Sequence, residues 1–209
     1  VTATPRRTQA ERREGTIAAV VDATVEALGE VGYARTTTAE IARRAGVSQG
    51  GLFRHFDSRL DVILAAADAV RARQFVDFRA GLAQLEEFDV AAVVRLLRRA
   101  TRAPVNAAWY ELLVAARADV DLRDRLAPLA DRYHREIIEL GRALPIAEAM
   151  PAEQLDAIVI GIVHMLDGEA LIATVHVDTA REDVRVEQLV RILAGEPLFD
   201  RESGDGAQG

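Results

Sequence analysis

The short stretch from Thr36 to Arg59 gathers hydroxyls, guanidiniums, an imidazole and a side-chain amide at spacings that suit one kind of chemistry. Thr36, Thr37 and Ser48 stand where helices are expected to begin, and a hydroxyl beside free N–H groups and a helix dipole favours a phosphate. Thr38 follows directly in the same cluster. Gln49 can pair bidentately with an adenine edge, and Gly50 and Gly51 remove side chains where backbone approaches bases or phosphates. Arg43, Arg44, Arg54, His55 and Arg59 supply cations, and Phe53 an aromatic ring. This is the chemistry of duplex DNA recognition. No nucleophile–base pair, reasoned carboxylate pair or H-E-x-x-H set accompanies it, so the chain is expected to be no enzyme, with no catalytic residue, metal or cofactor.

These residues need helices to carry them. Ile17, Val20, Val21, Thr24, Leu28 and Val31 lie on one face of a helix over about 9 to 31, which Gly32 is expected to stop in the left-handed conformation. The threonines cap a short helix that Gly46 closes, and Ser48 caps the next. Val47, Leu52 and Phe56 anchor that helix inward, leaving Gln49, Gly50, Gly51, Arg54 and His55 outside. Helix, turn, helix is a unit whose second helix fits a major groove about 12 Å wide. Ser58-Arg59-Leu60-Asp61 then has the shape of a capping box and starts a long helix. Further helical spacing covers about 88–103, 105–118, 121–143 (kinked or divided at Pro128), 151–175 and 181–194, the last stopped by Gly195 and Pro197. The expected fold is all-α: an N-terminal three-helix helix-turn-helix DNA-binding domain over 1–57, joined by a long helix to a helical ligand-binding and dimerisation domain over 58–198, with a flexible tail at 199–209.

Composition first looks unfavourable to a DNA partner, because the 209 residues carry a net charge of −7. The charge is unevenly placed. Residues 1–60 hold nine Arg against seven acids, a net of +2, and the rest holds 17 Arg against 26 acids, a net of −9. Lys and Cys are both absent, so cationic contacts fall to guanidinium forks, and neither disulfides nor thiolate metal sites arise. The longest apolar run, Ala157 to Leu166, is far short of the ~20 residues of a membrane span. Arg6, Arg7, Arg12 and Arg13 have no apolar stretch behind them, so no secretory signal is read, and a cytoplasmic location without membrane partners is expected. Residues 1–7 read as a basic arm.

The stretch GYARTTTAEIARRAGVSQGGLFRHFDSRLDVI, Gly32 to Ile63, closely resembles the DNA-binding domain of the TetR family of bacterial transcriptional regulators. The resemblance implies a homodimeric all-α repressor whose DNA binding responds to a small molecule. Thr37 and Thr38 match the start of the family's second helix, Ser48 to His55 its recognition segment, and Arg59 a place usually held by a phosphate-contacting Lys. Phe53 stands where the family most often has Tyr, so a phenolic phosphate contact is missing. The expected DNA-binding set is thus Thr37, Thr38, Arg44, Ser48, Gln49, Gly50, Gly51, Phe53, Arg54, His55 and Arg59.

Farther along, only HMLDGEALIATVH, His164 to His176, is locally similar to the family. The resemblance implies an effector pocket among helices four to eight, for which Phe75, Phe78, Leu97, Trp109, Tyr110, Leu113, Tyr133, His134, Ile137, Met165 and Glu169 are the candidates. Each could equally be ordinary core or surface. The helix from 151 is apolar on more than one face, which points to a four-helix dimer interface using Ile158, Ile162, Leu166, Ala170, Val186, Leu189 and Leu193. Glu86-Glu87 and Arg98-Arg99 read as solvated faces. The expected partners are therefore a near-palindromic DNA operator, a second copy of the chain and an apolar or amphipathic effector. A similar DNA-binding activator or architectural protein without an effector is the alternative.

Overall fold

The computed structural model describes residues 8–194; the arm at 1–7, the stop at Gly195 and Pro197, and the tail at 199–209 lie outside the described residues. Thr8 opens helix α1 (Gln9–Val31) with a reciprocal cap, its hydroxyl accepting the Glu11 N–H while the Glu11 carboxylate accepts the Thr8 N–H. Gly32 ends it at φ +80°, but with ψ 168° the residue is extended rather than left-handed helical. The positive φ favours glycine there, and a Cβ would also lie 2.9 Å from Oε1 of Glu111, displacing that carboxylate.

Then follow α2 (Thr38–Ala45), α3 (Gln49–Leu52), α4 (Arg59–Leu82), α5 (Val90–Thr101), α6 (Asn106–Ala115), α7 (Val120–Arg142), a 3-10 turn at Pro145–Ala149, α8 (Ala152–Ile172) and α9 (Thr179–Leu193). No strand occurs among the described residues. Pro128 neither divides nor ends α7, which runs through it as one helix. Of the expected capping box at Ser58 one half forms: the Ser58 hydroxyl accepts the Asp61 N–H at 3.1 Å, while the Asp61 carboxylate accepts from that hydroxyl at 2.7 Å rather than from the Ser58 N–H.

Packing divides the chain into two compact units, and not at the expected 57/58 boundary. The first comprises the described residues up to Asp77 together with Arg102–Leu140; the second comprises Phe78–Thr101 and the described residues from Gly141. The physical reason is visible in the first unit's core. α1 packs on α6 as well as on α2, and Val25 and Leu28 share one cluster with Ile63, Val70, Trp109, Leu112, Leu122 and Leu126. A second cluster, Val20, Ile41, Ala42, Leu52 and Val62, holds α2 and α3 against α1 and α4.

In the second unit α5 packs on α8 and α9. Its interior is only partly apolar. Arg98, expected on a solvated face, instead donates to Glu169 at 2.8 Å, to Glu182 at 2.9 Å and to Asp183 at 2.6 Å. Glu169 and Glu182 are both buried, so the guanidinium is drawn inward by carboxylates that have left water. Arg185 adds a second cation on Glu169 at 3.2 Å. Arg99, Glu86 and Glu87 are exposed, as expected.

Candidate nucleic-acid interface

The turn between α2 and α3 follows from one glycine and one serine. Gly46 adopts φ +66° and ψ 28°, the left-handed region where a side chain is strained, and its N–H reaches the carbonyls of Ala42 and Arg43. The chain reverses within two residues. Ser48 then caps α3 by accepting the Gly51 N–H at 3.0 Å. Leu52, fully buried, pins α3 to the head's core with Val47 and Phe56 packed beside it, and these anchors turn Gln49, Gly50, Phe53 and Arg54 outward together. Phe53, the C-cap of α3, is 47% exposed, a large apolar ring presented to solvent at the end of the reading helix. Gly50 is exposed too, with open space where a Cβ would stand, so nothing in the fold requires glycine there.

Around this segment the expected phosphate ligands divide. Thr37 caps α2, its Oγ accepting the Glu40 N–H at 3.2 Å, and it is exposed; Thr38 is the partly buried first residue of the helix. Thr36, in contrast, is fully buried with its hydroxyl on the Gly32 carbonyl at 2.8 Å, which removes it from any phosphate. Arg44 is not a free cation either: its guanidinium bonds Glu40 and Glu30, both at 2.7 Å, with only 15% of the side chain exposed. Arg59 commits its Nε to the Thr36 carbonyl at 2.7 Å and an Nη2 to the Tyr33 carbonyl, over whose ring it lies at 4.3 Å. His55 is half-buried, with Nδ1 buried and unpartnered. Arg43, 68% exposed along its side chain, shares Glu40 with Arg44. Arg43 first and Arg44 second hold the Glu40 carboxyl at about 2, below its ordinary 4.5. Beside them an open groove of about 430 Å³ is lined by Val31, Arg35, Thr37, Ala39, Glu40 and Arg43.

The effector candidates distribute between the two units. In the first, Tyr133 sits 5.7 Å from Phe75, 5.5 Å from Trp109 and 6.0 Å from His134, centroid to centroid, a continuous aromatic set with Phe75 and Trp109 buried. Ile137 is buried and Tyr110 half-buried, while Leu113 faces out at 41% exposure. A Gln74–Asn106 amide pair adds polar groups to the same unit. Phe78, Leu97, Met165 and Glu169 belong to the second unit. There the Glu169 carboxylate is taken by Arg98 and Arg185, so it is no idle handle for a ligand.

The expected dimer residues also divide. Leu166, Ala170 and Val186 are buried inside their own unit and cannot meet a partner without its opening, whereas Ile158, Ile162, Leu189 and Leu193 are partly exposed. The outward stripe of α8 instead runs through Gly161, Met165, Gly168 and Ile172. The apolar sequence of α8 did not separate these two faces. What the sequence reading missed altogether is the pairing of Arg98 and the role of Tyr33 and Glu111, which meet through the Tyr33 N–H. Glu169, an acid within the apolar HMLDGEALI stretch of α8, is the available signal for the first.

A family model described as bacterial regulatory proteins, tetR family, matches residues 20–66, spanning α2, α3 and the flanking parts of α1 and α4. An uncharacterised HTH-type transcriptional regulator of Mycobacterium tuberculosis is 38% identical over 189 residues, 90% of this chain and 97% of that protein. Among solved structures, a TetR-family transcriptional regulator from Rhodococcus sp. superposes at a TM-score of 0.67 with 18% identity, over 85% of this chain and 98% of that one. The multidrug binding protein EbrR, complexed with malachite green, gives a TM-score of 0.59 with 20% identity, over 91% and 99%. The last two show the fold. No helix among the described residues is long and apolar enough to cross a membrane. With the recognition segment carried by α2 and α3 and a full-length relative at 38% identity, the chain belongs to the TetR family of DNA-binding transcriptional regulators, which are not enzymes.

Proposed function

We propose that the chain is a repressor that binds a near-palindromic operator as a homodimer and leaves it when a small apolar or amphipathic effector binds. The observation that carries the DNA half is the shared outward presentation of Gln49, Gly50, Phe53 and Arg54 over the buried Leu52. In this reading Gln49 and Gly50 face base edges, while Thr37, Ser48 and Arg54 meet the backbone together with the Arg35 and Arg43 guanidiniums of the adjoining groove. The functional boundary at residue 57 then marks where reading residues give way to Arg59, whose donors brace the head from within.

Support for an effector comes from the aromatic set of Phe75, Trp109, Tyr133 and His134, with the Gln74–Asn106 amides as polar handles. The EbrR likeness, at the level of fold alone, points the same way. Dimerisation is proposed through the outward stripe of α8 at Gly161, Met165, Gly168 and Ile172, with Val184 and Ile192 of α9. The two glycines meet nothing within 4 Å and leave room for a second helix to approach closely. A two-fold pair of heads would read half-sites about one helical turn apart, or a multiple of it.

Selection of bound duplexes from a random pool supplies the operator. The operator complex is then titrated with malachite green and, separately, with a long-chain fatty acid, following Trp109 emission and retained DNA. Quenching with DNA release is the expected result for at least one probe. Quenching without release would overturn the effector-released repressor while leaving the DNA reading intact.

A further inference from the structure

Tyr33 uses every polar group it has, on α4, on α6 and on the residue that precedes α7. Its N–H donates to Glu111 Oε1 of α6 at 2.6 Å, its hydroxyl donates to Asp119 Oδ2 at 2.8 Å just before α7, and its carbonyl accepts from Arg59 of α4. The same Arg59 guanidinium covers its ring. Asp119 is fixed in turn, since its other oxygen accepts the Leu122 N–H at 2.9 Å and caps α7. Burial first, and the Asp119 hydrogen bond second, push the Tyr33 hydroxyl above the ordinary tyrosine range, so it remains a donor at neutral pH.

The place of this residue matters more than its number of bonds. Tyr33 lies in the link between α1 and α2, where Thr36 is also tied down, its hydroxyl on the Gly32 carbonyl and its own carbonyl on Arg59. A few residues later Thr37 caps α2 and fixes where that helix begins. The Glu111 carboxylate stands so close to Gly32 that a Cβ would meet it at 2.9 Å, so the link is seated by shape as well as by hydrogen bonds. At 2.6 and 2.8 Å these contacts have little slack; a displacement of α6 or the start of α7 by about 1 Å takes them beyond hydrogen-bonding distance.

We infer that Tyr33, held by Glu111 and Asp119, is a positioning residue for DNA binding: it sets the pose of α2, and through it the reading helix α3, from α6 and α7 without touching DNA. The inference rests on the operator-binding reading above. It adds a route from α6 and α7 into the head through the α1–α2 link.

The test measures the affinity of the full chain for its selected operator and for a random duplex, together with thermal midpoints, in Tyr33→Phe, Glu111→Ala and Glu111→Gln. Tyr33→Phe keeps the ring and its contact with Arg59 but deletes the donor to Asp119. Glu111→Gln keeps an acceptor for the Tyr33 N–H and controls for the lost charge. Tyr33→Phe and Glu111→Ala should each weaken operator binding about five- to tenfold. Binding of Tyr33→Phe to the random duplex, which charge sets, should stay within about twofold, and Glu111→Gln should bind the operator like wild type. Operator affinity of Tyr33→Phe within about twofold of wild type, with only a lowered midpoint, would make the contact merely structural and overturn the inference. Operator and random-duplex binding falling in parallel would overturn it too. If wild type itself selects no operator, the reading beneath the inference fails, and the wild-type arm separates that outcome from the other two.

Discussion

The reading head and the α5–α8–α9 layer use the same residue types, Arg and Glu, in opposite ways. In the head the core cluster, Val20, Ile41, Ala42, Leu52 and Val62, buries no charged residue with it, only the hydroxyls of Thr24 and Thr36 nearby, and the charges lie outside, with Glu40 shared by Arg43 and Arg44. In the layer the charges are inside: Arg98 is 16% exposed along its side chain, against 5% for Glu169 and 4% for Glu182. A partly solvated pair trades one hydration shell for another and adds little. A buried network has no water to fall back on, so each member depends on the others. The head can therefore exchange surface charges with a passing polyanion, while the layer holds three helices in one fixed relation.

Cutting the network should give the largest effect. Arg98→Ala removes the guanidinium that joins the buried Glu169 and Glu182 to Asp183, and should cost about 3–5 kcal/mol in a denaturant titration. A loss under about 1 kcal/mol would place the layer's charges in the same class as those of the head. Next in size, if the proposed dimer forms through the outward stripe, Ile172→Glu should leave folded monomers in sedimentation, with operator affinity falling sharply. An unchanged mass would put the interface elsewhere.

Gly50→Ala probes the other side of the comparison. The added methyl enters open space and a better helix former replaces glycine, so the fold should gain about 0.5–1 kcal/mol while operator binding weakens. Unchanged binding would show that DNA does not approach the backbone there. The smallest expected effect is acidic. The Glu40 carboxyl is depressed in the folded state, so its contribution is fully present above 4.5 and is lost as pH falls from 4.5 through about 2. In urea titrations Glu40→Gln should be slightly less stable than wild type at pH 5, and the gap should close on that acid limb. A gap that widened there would mean that Glu40 is not held by its arginines.

The contrast also explains how much could be read from the chain. Gly46, Ser48, Thr37 and Leu52 act through local backbone geometry and apolar anchoring, so the head, its turn and the exposure of Gln49, Gly50 and Arg54 are legible from spacing, whereas Gly51 and His55, expected outside, are half-buried. Arg44, Thr36 and Arg59 were harder. Whether a cation or hydroxyl faces DNA or its own fold depends on partners distant in sequence, as with Arg59 on the Tyr33 carbonyl. In α8 an all-round apolar sequence conceals which face turns inward, and Leu166, expected at a dimer interface, is buried within its own unit. Arg98 meets partners more than seventy residues away, a pairing that no local period encodes.

The central claim is that Gln49 on α3 reads bases. Selection of bound duplexes from a random pool, run in parallel on wild type and Gln49→Ala, tests it most directly. The account predicts that wild type recovers a near-palindrome with half-sites about 10 base pairs apart, or a multiple of that, and that Gln49→Ala relaxes base choice at one position per half-site while the remaining motif persists. Recovery of the same motif by both proteins, with affinity alone reduced in the variant, would contradict it.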